Sequence, residues 1–590
     1  DATLTDFPVM IDLANSDVLA SARGDMRDIL FTSSDGSTKL SHELVKRRLL
    51  GSGGWTWFTN PRAIYYNGTH ERIYFGTIDG AGTLYVGQYD HATGVHTHSV
   101  LTSGFQVDDH NNASIFVRPS DSRLIALYTT HSTDTYLRYK ISTNPEDATA
   151  WGSEQTSTYS GMMTYANPIL LADDSNACYV FSRVGEGLGD QRWSYKRTID
   201  FTTWGSEVEY WDTGAYFQYM HCVENGTGRI DFFASDRHPI DTGDSSLFHF
   251  YCQWDSGSST LKWYNSAGTE RSLPLDASTA TLIYDGSGAQ DGWNHQIAID
   301  SSGYPRVLFQ KTVSTSGTGD MRLMFARWNG SAWTTPVEVT ALGGYVYSGE
   351  VTYTGGSCFD GVDIDKIYVG KEVSSVYEIQ EWVTTDTGAT WTKSRDITTG
   401  SLSGTQNLRP FSPKNHNGKL ACLWGSGTYT TFTSYGLNTF CDPPLATEAY
   451  VKVPSVSGTV DTDIYCYYDN QAAADQEDAS NAWDSGFMGV YHLEVKPASL
   501  LMPDSTSNIR NGTKKNFSEP SSAVIGAQKF DGVNDYITLG TALNFAGLTE
   551  ATIEAIVNHD GTGAANEEHT VFSCFSSTTV AATMLRIEPN

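Results

Sequence analysis

The sequence predicts an all-β protein built around a β-propeller of about seven blades. Three observations predict it. Tyr 32, Phe 25, Trp 15 and Gly 55 are abundant while Lys+Arg is only 38, a composition suited to pleated strands joined by tight turns. No long stretch keeps a 3.6-residue apolar period; only 470–483 reads as either a short helix or an acidic loop. Finally, three related turns punctuate the middle of the chain. The clean one is Thr384-Thr-Asp386-Thr-Gly388-Ala-Thr-Trp391, an Asp-box-like turn; Thr198-Ile-Asp200-Phe-Thr-Thr-Trp204 and Arg327-Trp-Asn-Gly-Ser-Ala-Trp333 are its looser relatives. In such a turn Asp caps backbone N–H groups, Gly supplies a positive φ and Trp packs between sheets. They are expected between the third and fourth strands of blades, holding hairpins rather than touching ligands.

In chain order, residues 1–45 give short strands around an Asp-Gly turn (Asp28 to Gly36). Residues 46–445 carry the repeating β pattern; at about 55 residues a blade this length makes about seven blades. Residues 446–485 return to alternating strands (Tyr450-Val-Lys-Val-Pro and Tyr465-Cys-Tyr-Tyr-Asp-Asn). Residues 486–590 read as the first strands of a further sandwich with too few strands to close it. The chain opens at Asp1 with neither Met nor a signal-like segment, as a processed form or a fragment does.

A formal charge of −30 speaks against nucleic-acid binding, which needs a basic face. It is also what a protein from a salty environment would carry. No run of about 18 apolar residues exists, so no membrane-inserted helix is expected. Eight cysteines lack CxxC spacing, and sequence cannot pair them.

The strongest chemical signal is a pair of histidines. His110 stands in Val-Asp-Asp-His-Asn-Asn (107–112) and His131 in Leu-Tyr-Thr-Thr-His-Ser (127–132). The segment between them reads as a hairpin around Pro-Ser-Asp-Ser. A hairpin returns the chain to its starting level, so both imidazoles can sit at one end of a sheet, where proton transfer near neutral pH is within their reach. Gln191-Arg192-Trp-Ser-Tyr-Lys196-Arg197 is the most basic cluster of the acidic middle zone. It reads either as a solvated strand face or as a subsite for sulfate or carboxylate groups.

Residues 51–440 resemble BNR-repeat propellers that include ulvan lyases and related polysaccharide lyases. The resemblance rests on Trp55-Thr-Trp-Phe-Thr-Asn-Pro-Arg-Ala-Ile-Tyr, Tyr74-Phe-Gly, Asp108-Asp-His-Asn-Asn, His131, Tyr165-Ala-Asn-Pro, Phe181-Ser-Arg183, Asp236-Arg-His-Pro239, Thr384–Trp391 and Asn407-Leu-Arg-Pro410, in that order, then Leu423–Tyr429. The flanks 1–45 and 446–485 resemble the two halves of a β-sandwich domain of bacterial surface and secreted proteins, with the propeller inserted between them. Residues 486–590 resemble the start of a laminin-G/concanavalin-like jelly roll.

The resemblance implies a secreted or cell-surface lyase acting on an acidic, sulfated, ulvan-like polysaccharide, without an organic cofactor. Such an enzyme removes the C5 proton of a uronate and expels the oxygen at C4, so it needs a base, an acid and cations facing the carboxylate. Carried over residue by residue, the catalytic positions are His110, His131, Tyr165 and Arg183. Arg183 and His131 would neutralise the carboxylate, and His110 and Tyr165 would serve as base and acid in either order, Tyr165 with the help of nearby positive charge. Arg192, Lys196, Arg197, His238 and Asn111 would contact substrate. A structural metal ion near the axis from His221, His238, His295 and Cys358 lacks supporting ligand spacing. The same architecture suits a non-catalytic glycan-binding or adhesion protein of a cell surface or phage tail. A sialidase-like hydrolase ranks last, since no Arg-Ile-Pro motif stands near the start.

Overall fold

The computed structural model describes the chain outside residues 1–2, 14–17, 19–21, 23–25, 186–190, 215–216, 227, 240–243, 289, 313–319, 345, 347–353, 400, 402, 445, 471, 494–500, 516–529, 531–533, 540–542, 544–548, 558–568, 576–580 and 588–590. Seven antiparallel sheets follow one another through the middle of the chain. Their first strands are Ala63–Asn67, Ser114–Val117, Met162–Leu171, Met220–Glu224, Gly292–Ile299, Ser357–Phe359 and Gln406–Phe411. Six sheets draw their strands from consecutive segments. The seventh takes its last strand, Leu49–Ser52, from ahead of the first sheet, with Asn438 opposite Ser52 and Phe440 opposite Leu49. The two ends of the array are thus joined by one hydrogen-bonded ladder, the arrangement of a propeller.

The side-chain alternation of strands explains the stacking. In the second sheet Ile115, Val117, Leu124 and Ala126 face Tyr74, Leu84 and Val86 of the first. Their neighbours Phe116, Ile125 and Leu127 face Met163, Cys178 and Val180 of the third. Each such buried side chain contributes about 1.5–3 kcal/mol.

All three Asp-box-like turns join third to fourth strands. Asp386 accepts from Thr390 N at 2.8 Å, Asp200 from Thr203 N at 2.8 Å and Asn329 from Ala332 N at 2.9 Å. Gly388 has φ +89, and a Cβ there would meet the Phe325 ring at 2.1 Å. Each turn's tryptophan reaches the third strand of the preceding sheet: Trp204 to Tyr139 (5.7 Å between ring centroids), Trp333 to His249 (5.2 Å) and Trp391 to Phe325 (5.4 Å).

Outside the seven sheets, Ala446–Val456 lies between Leu4–Asp12 and His42–Arg47, and Ile464–Tyr467 pairs with Leu30–Ser33. Residues before and after the seven sheets share one core of Leu13, Ile29, Phe31, Leu44, Ala449, Val451 and Val453. Within 470–483 the only described helix is the single turn Ala479–Ala482. The described part of 486–590 holds one three-stranded and one two-stranded sheet. Seven cysteines (178, 222, 252, 358, 422, 441 and 466) are free thiols. No described helix is long and apolar enough to cross a membrane.

Candidate functional site

The hairpin between the two histidines is Ser114–Val117 paired with Arg123–Tyr128. His110 precedes it in the single 3-10 turn Asp109–Asn111, and His131 follows it, so both stand at one end of the second sheet. Asp108 caps that turn, accepting from His110 N at 3.0 Å. The same carboxylate holds both rings: Oδ1 lies 2.6 Å from His110 Nδ1 and Oδ2 lies 2.7 Å from His131 Nδ1. The imidazoles stack with centroids 3.9 Å apart and planes 15° apart. Phe432, on a loop of the seventh sheet, meets both edge-on at 5.4 and 5.7 Å.

Protonation follows from this geometry. A carboxylate only accepts, so each Nδ1 carries hydrogen and each Nε2 faces away from Asp108. Burial opposes charge on His110, but Asp108 and then Asp109 outweigh it and push its pKa up to about 9. Burial and then the His110 charge pull His131 down to about 4, against Asp108. Burial would raise Asp108, yet the two imidazoles hold it well below the usual carboxylate range. At neutral pH the pair therefore carries one proton beyond the two Nδ1 hydrogens, on His110, and His131 Nε2 offers a lone pair.

A second layer anchors the turn from the seventh sheet. Asp109 Oδ2 receives Arg409 Nη1 and Tyr429 Oη, each at 2.5 Å, and Arg409 Nη2 donates to Tyr429 Oη at 2.6 Å. Arg409 also donates to Trp55 O at 2.6 Å and lies 4.6 Å over the Trp57 ring.

Tyr165 and Arg183 converge on the histidines. Tyr165 sits in a bulge of its strand at φ +66, a left-handed conformation that a tyrosine adopts at a cost. Its ring is 5.7 Å from His110, and its Oη is buried without a hydrogen-bond partner among the described residues. Burial raises its pKa well above 10 despite the Arg183 charge, so the expected acidification by nearby cations is overridden and the phenol keeps its proton. Arg183 Cζ stands among aromatic rings, 5.0 Å over Tyr165, 5.2 Å over Tyr219 and 5.3 Å over Phe217. His238 packs on Trp293 at 5.1 Å and Tyr219 at 5.3 Å; burial, then the charges of Arg183 and His110, pull it down to about 3. The cluster is enclosed: Tyr165 is 0% and Arg183 1% exposed, while the His131 side chain is 21% exposed and links the group to solvent.

The other sequence candidates are held by neighbours. Asn111 Nδ2 donates to Gln106 O at 2.9 Å and so braces the loop that also fixes His131 N through Gln106 Oε1 at 2.7 Å. Arg192 pairs with Glu209 at 3.1 Å, Lys196 donates to Thr158 O at 2.5 Å, and Arg197 is clamped by Asp174 at 2.5 and 2.7 Å. Sequence reading passed over Asp108, Asp109, Arg409, Tyr429 and Phe432 as site residues. The doubled Asp before His110 was the available signal.

Donor atoms of Asp108, His110 and His131 lie within 4.8 Å of one another, a spacing a metal ion accepts. Both Nδ1 atoms are already committed to Asp108, so the trio fits a hydrogen-bonded pair better than a metal centre. The other possibility raised by sequence, His221, His238, His295 and Cys358, does not form such a cluster among the described residues.

Comparison with known proteins agrees with the architecture. A solved ulvan lyase, described as a new polysaccharide lyase family, PL25, superposes with TM-score 0.54 at 14% identity, covering 68% of this chain and 97% of its own. The same kind of enzyme bound to -[GlcA(1-4)Rha3S]- gives TM-score 0.53 at 14% identity over 68% of this chain and 97% of that one. A lectin from Burkholderia pseudomallei, at 11% identity over 68% and 100% of the two chains, superposes less closely, with TM-score 0.41. At these identities the likeness concerns the fold. No curated protein matches by sequence. The family model described as BNR repeat-containing family member matches residues 44–339, half of the chain, and the chain belongs to that family.

Proposed function

We propose that the protein is an extracellular polysaccharide lyase that cleaves a uronate-containing, sulfated, ulvan-like polymer by β-elimination. The observation that carries the reading is the Asp108-bridged histidine pair beside Tyr165 and Arg183. The solved relative bound to -[GlcA(1-4)Rha3S]- supports the substrate class. In this reading His131 Nε2, the uncharged lone pair nearest solvent, takes the C5 proton. Protonated His110 and Arg183 balance the charge that develops on the carboxylate. The Tyr165 phenol, which keeps its proton, delivers it to the leaving O4. His110 and His131 thus exchange the parts that the resemblance alone assigns them. His238 and Asn111 shape the site. Arg192, Lys196 and Arg197 would serve outer subsites by exchanging their present partners for sulfate groups.

The strand pairing of residues 4–47 with 446–467 supports a propeller inserted into a sandwich, with each of the seven sheets read as a blade and residues 486–590 as the start of a laminin-G-like module. The burial of Tyr165 and Arg183 favours a second reading, a glycan-binding or adhesion protein in which the cluster is a structural core.

The test is absorbance near 235 nm, where the unsaturated uronate absorbs, with ulvan and other uronic-acid polysaccharides. A rising signal on one polymer that His131→Ala abolishes supports the lyase and names its substrate. A flat trace on every polymer, with glycan binding retained, supports the binding protein.

A further inference from the structure

Arg62 stands immediately before the first strand of the first sheet, and its residue is 1% exposed. Its Nε and Nη1 are shut off from solvent without a hydrogen-bond acceptor among the described residues. Its Cζ lies 4.5 Å over the Phe411 ring. Its charge is felt by His221, His295 and Cys358 and opposes that of Arg409. Those residues belong to the first strands of the fourth, fifth, sixth and seventh sheets. First strands line the middle of a propeller ring, so the guanidinium reaches across the axis.

Among the described residues no carboxylate balances it. Burial lowers the Arg62 pKa to about 9, which still leaves it charged at neutral pH. Burial keeps His221 and His295 neutral and Cys358 a thiol. Arg409 is a second cation, already paired with Asp109. His221 takes Asn60 Nδ2 on its Nδ1 at 3.2 Å, which leaves Nε2 as a donor. That Nε2 is buried beside the Asn294 carbonyl, which takes up its hydrogen. Burying a guanidinium without a counter-charge is strongly unfavourable and calls for a compensating anion or acceptor.

We propose that a small monovalent anion of halide size sits on the ring axis against Arg62 and completes the propeller core. The unpartnered donors of this cage among the described residues, Arg62 Nε and Nη1, are too few for a sulfate or phosphate, whose oxygens each call for a partner. Its test reads no catalysis, so it does not depend on the reaction proposed for the histidine cluster.

Crystals of the whole chain grown in sodium bromide should show an anomalous peak within hydrogen-bonding reach of Arg62. In solution, exchanging sodium gluconate for sodium chloride at constant ionic strength should raise the thermal midpoint by several degrees and saturate, as specific binding to the native state does. Arg62→Met should abolish that rise. A bromide-free axis, or a wild-type midpoint indifferent to chloride, overturns the proposal, as does a chloride response retained in Arg62→Met. If Arg62→Met does not fold, the two wild-type measurements decide.

Discussion

The rings of His110 and His131 stack 3.9 Å apart while a single carboxylate, Asp108, holds the Nδ1 of each. Two imidazoles in van der Waals contact cannot both be charged without strong repulsion, and Asp108 offers one negative charge. One proton shared unequally is the state this geometry stabilises. It turns two residues of the same kind into an acid-side cation and a neutral base.

Asp108→Asn keeps the side chain's size but removes the charge and reverses one contact. The amide nitrogen cannot accept from Nδ1, so at least one ring must change tautomer. Turnover by the lyase assay should fall by about 10⁴-fold, the loss seen when a buried Asp that fixes a catalytic imidazole's tautomer is replaced by Asn. The pH–rate profile should lose the limb set by His110. An unchanged profile would mean that Asp108 does not set the protonation of the pair.

Tyr165→Phe separates chemistry from folding. The phenol oxygen has no hydrogen-bond partner among the described residues, so removing it breaks no hydrogen bond there. The urea unfolding free energy should stay within about 0.5 kcal/mol of wild type, or rise, because an unsatisfied buried hydroxyl is relieved. Elimination should drop by at least about 100-fold if the phenol protonates the leaving oxygen. Retained activity would remove Tyr165 from the mechanism.

Much of the fold was legible because its signals are local. The hairpin between the histidines is a matter of strand alternation and one polar turn, and the Asp-box-like turns announce third-to-fourth strand links. The site was legible only in part. Arg409 meets Asp109 across 300 residues of sequence, a contact that only ring closure creates. The left-handed bulge at Tyr165 has no signature in a residue that normally avoids it. The basic run 191–197 looked available because its acidic partners, Asp174 and Glu209, stand on other segments of the same sheet.

Asp109 and Arg409 form an ion pair with side chains 0% and 3% exposed. Removing one partner strands the other, and such losses typically cost about 3–5 kcal/mol. Arg409→Met should lower the urea unfolding free energy by about that amount, and Asp109→Asn by a similar one. The double variant should be less destabilised than the sum. Strict additivity would show that the pair does not act as a unit.

The histidines predict how stability depends on pH. His110, raised to about 9 from the usual 6.5, contributes stability that is full below pH about 6.5 and lost as pH climbs through about 9. At about 1.4 kcal/mol per unit this contribution is on the order of 3 kcal/mol. His91 and His96, lowered to about 4, and His98, lowered to about 3, act in the opposite sense. They contribute fully above pH about 6.5, and the contribution falls away between there and about pH 4. Urea midpoints measured across pH 4–10 should peak near neutrality. In Asp108→Asn the alkaline fall should flatten while the acid fall persists.

The last prediction concerns the seam between the fourth and fifth sheets. Trp333 Nε1 donates to Ser266 Oγ at 3.0 Å, Ser266 Oγ lies 2.8 Å from His249 Nδ1, and His249 Nε2 lies 3.0 Å from Asp231 Oδ1. Burial lowers the His249 pKa, so the ring is neutral, with its Nε2 hydrogen on Asp231 and its Nδ1 lone pair on the serine hydroxyl. Every donor and acceptor in the chain is thereby directed one way, from the tryptophan in one sheet to the carboxylate in the other. Trp333→Phe keeps most of the ring packing and removes only the first donor, so it should cost about 1 kcal/mol in urea unfolding. Ser266→Ala breaks two links and leaves His249 Nδ1 buried without a donor, at about 1–3 kcal/mol. Because both variants sever the same path, the double variant should be less destabilised than the sum by about 0.5–1.5 kcal/mol. Additive losses would show that the four groups are neighbours rather than a network, and that the seam is held by the aromatic packing of Trp333 on His249 alone.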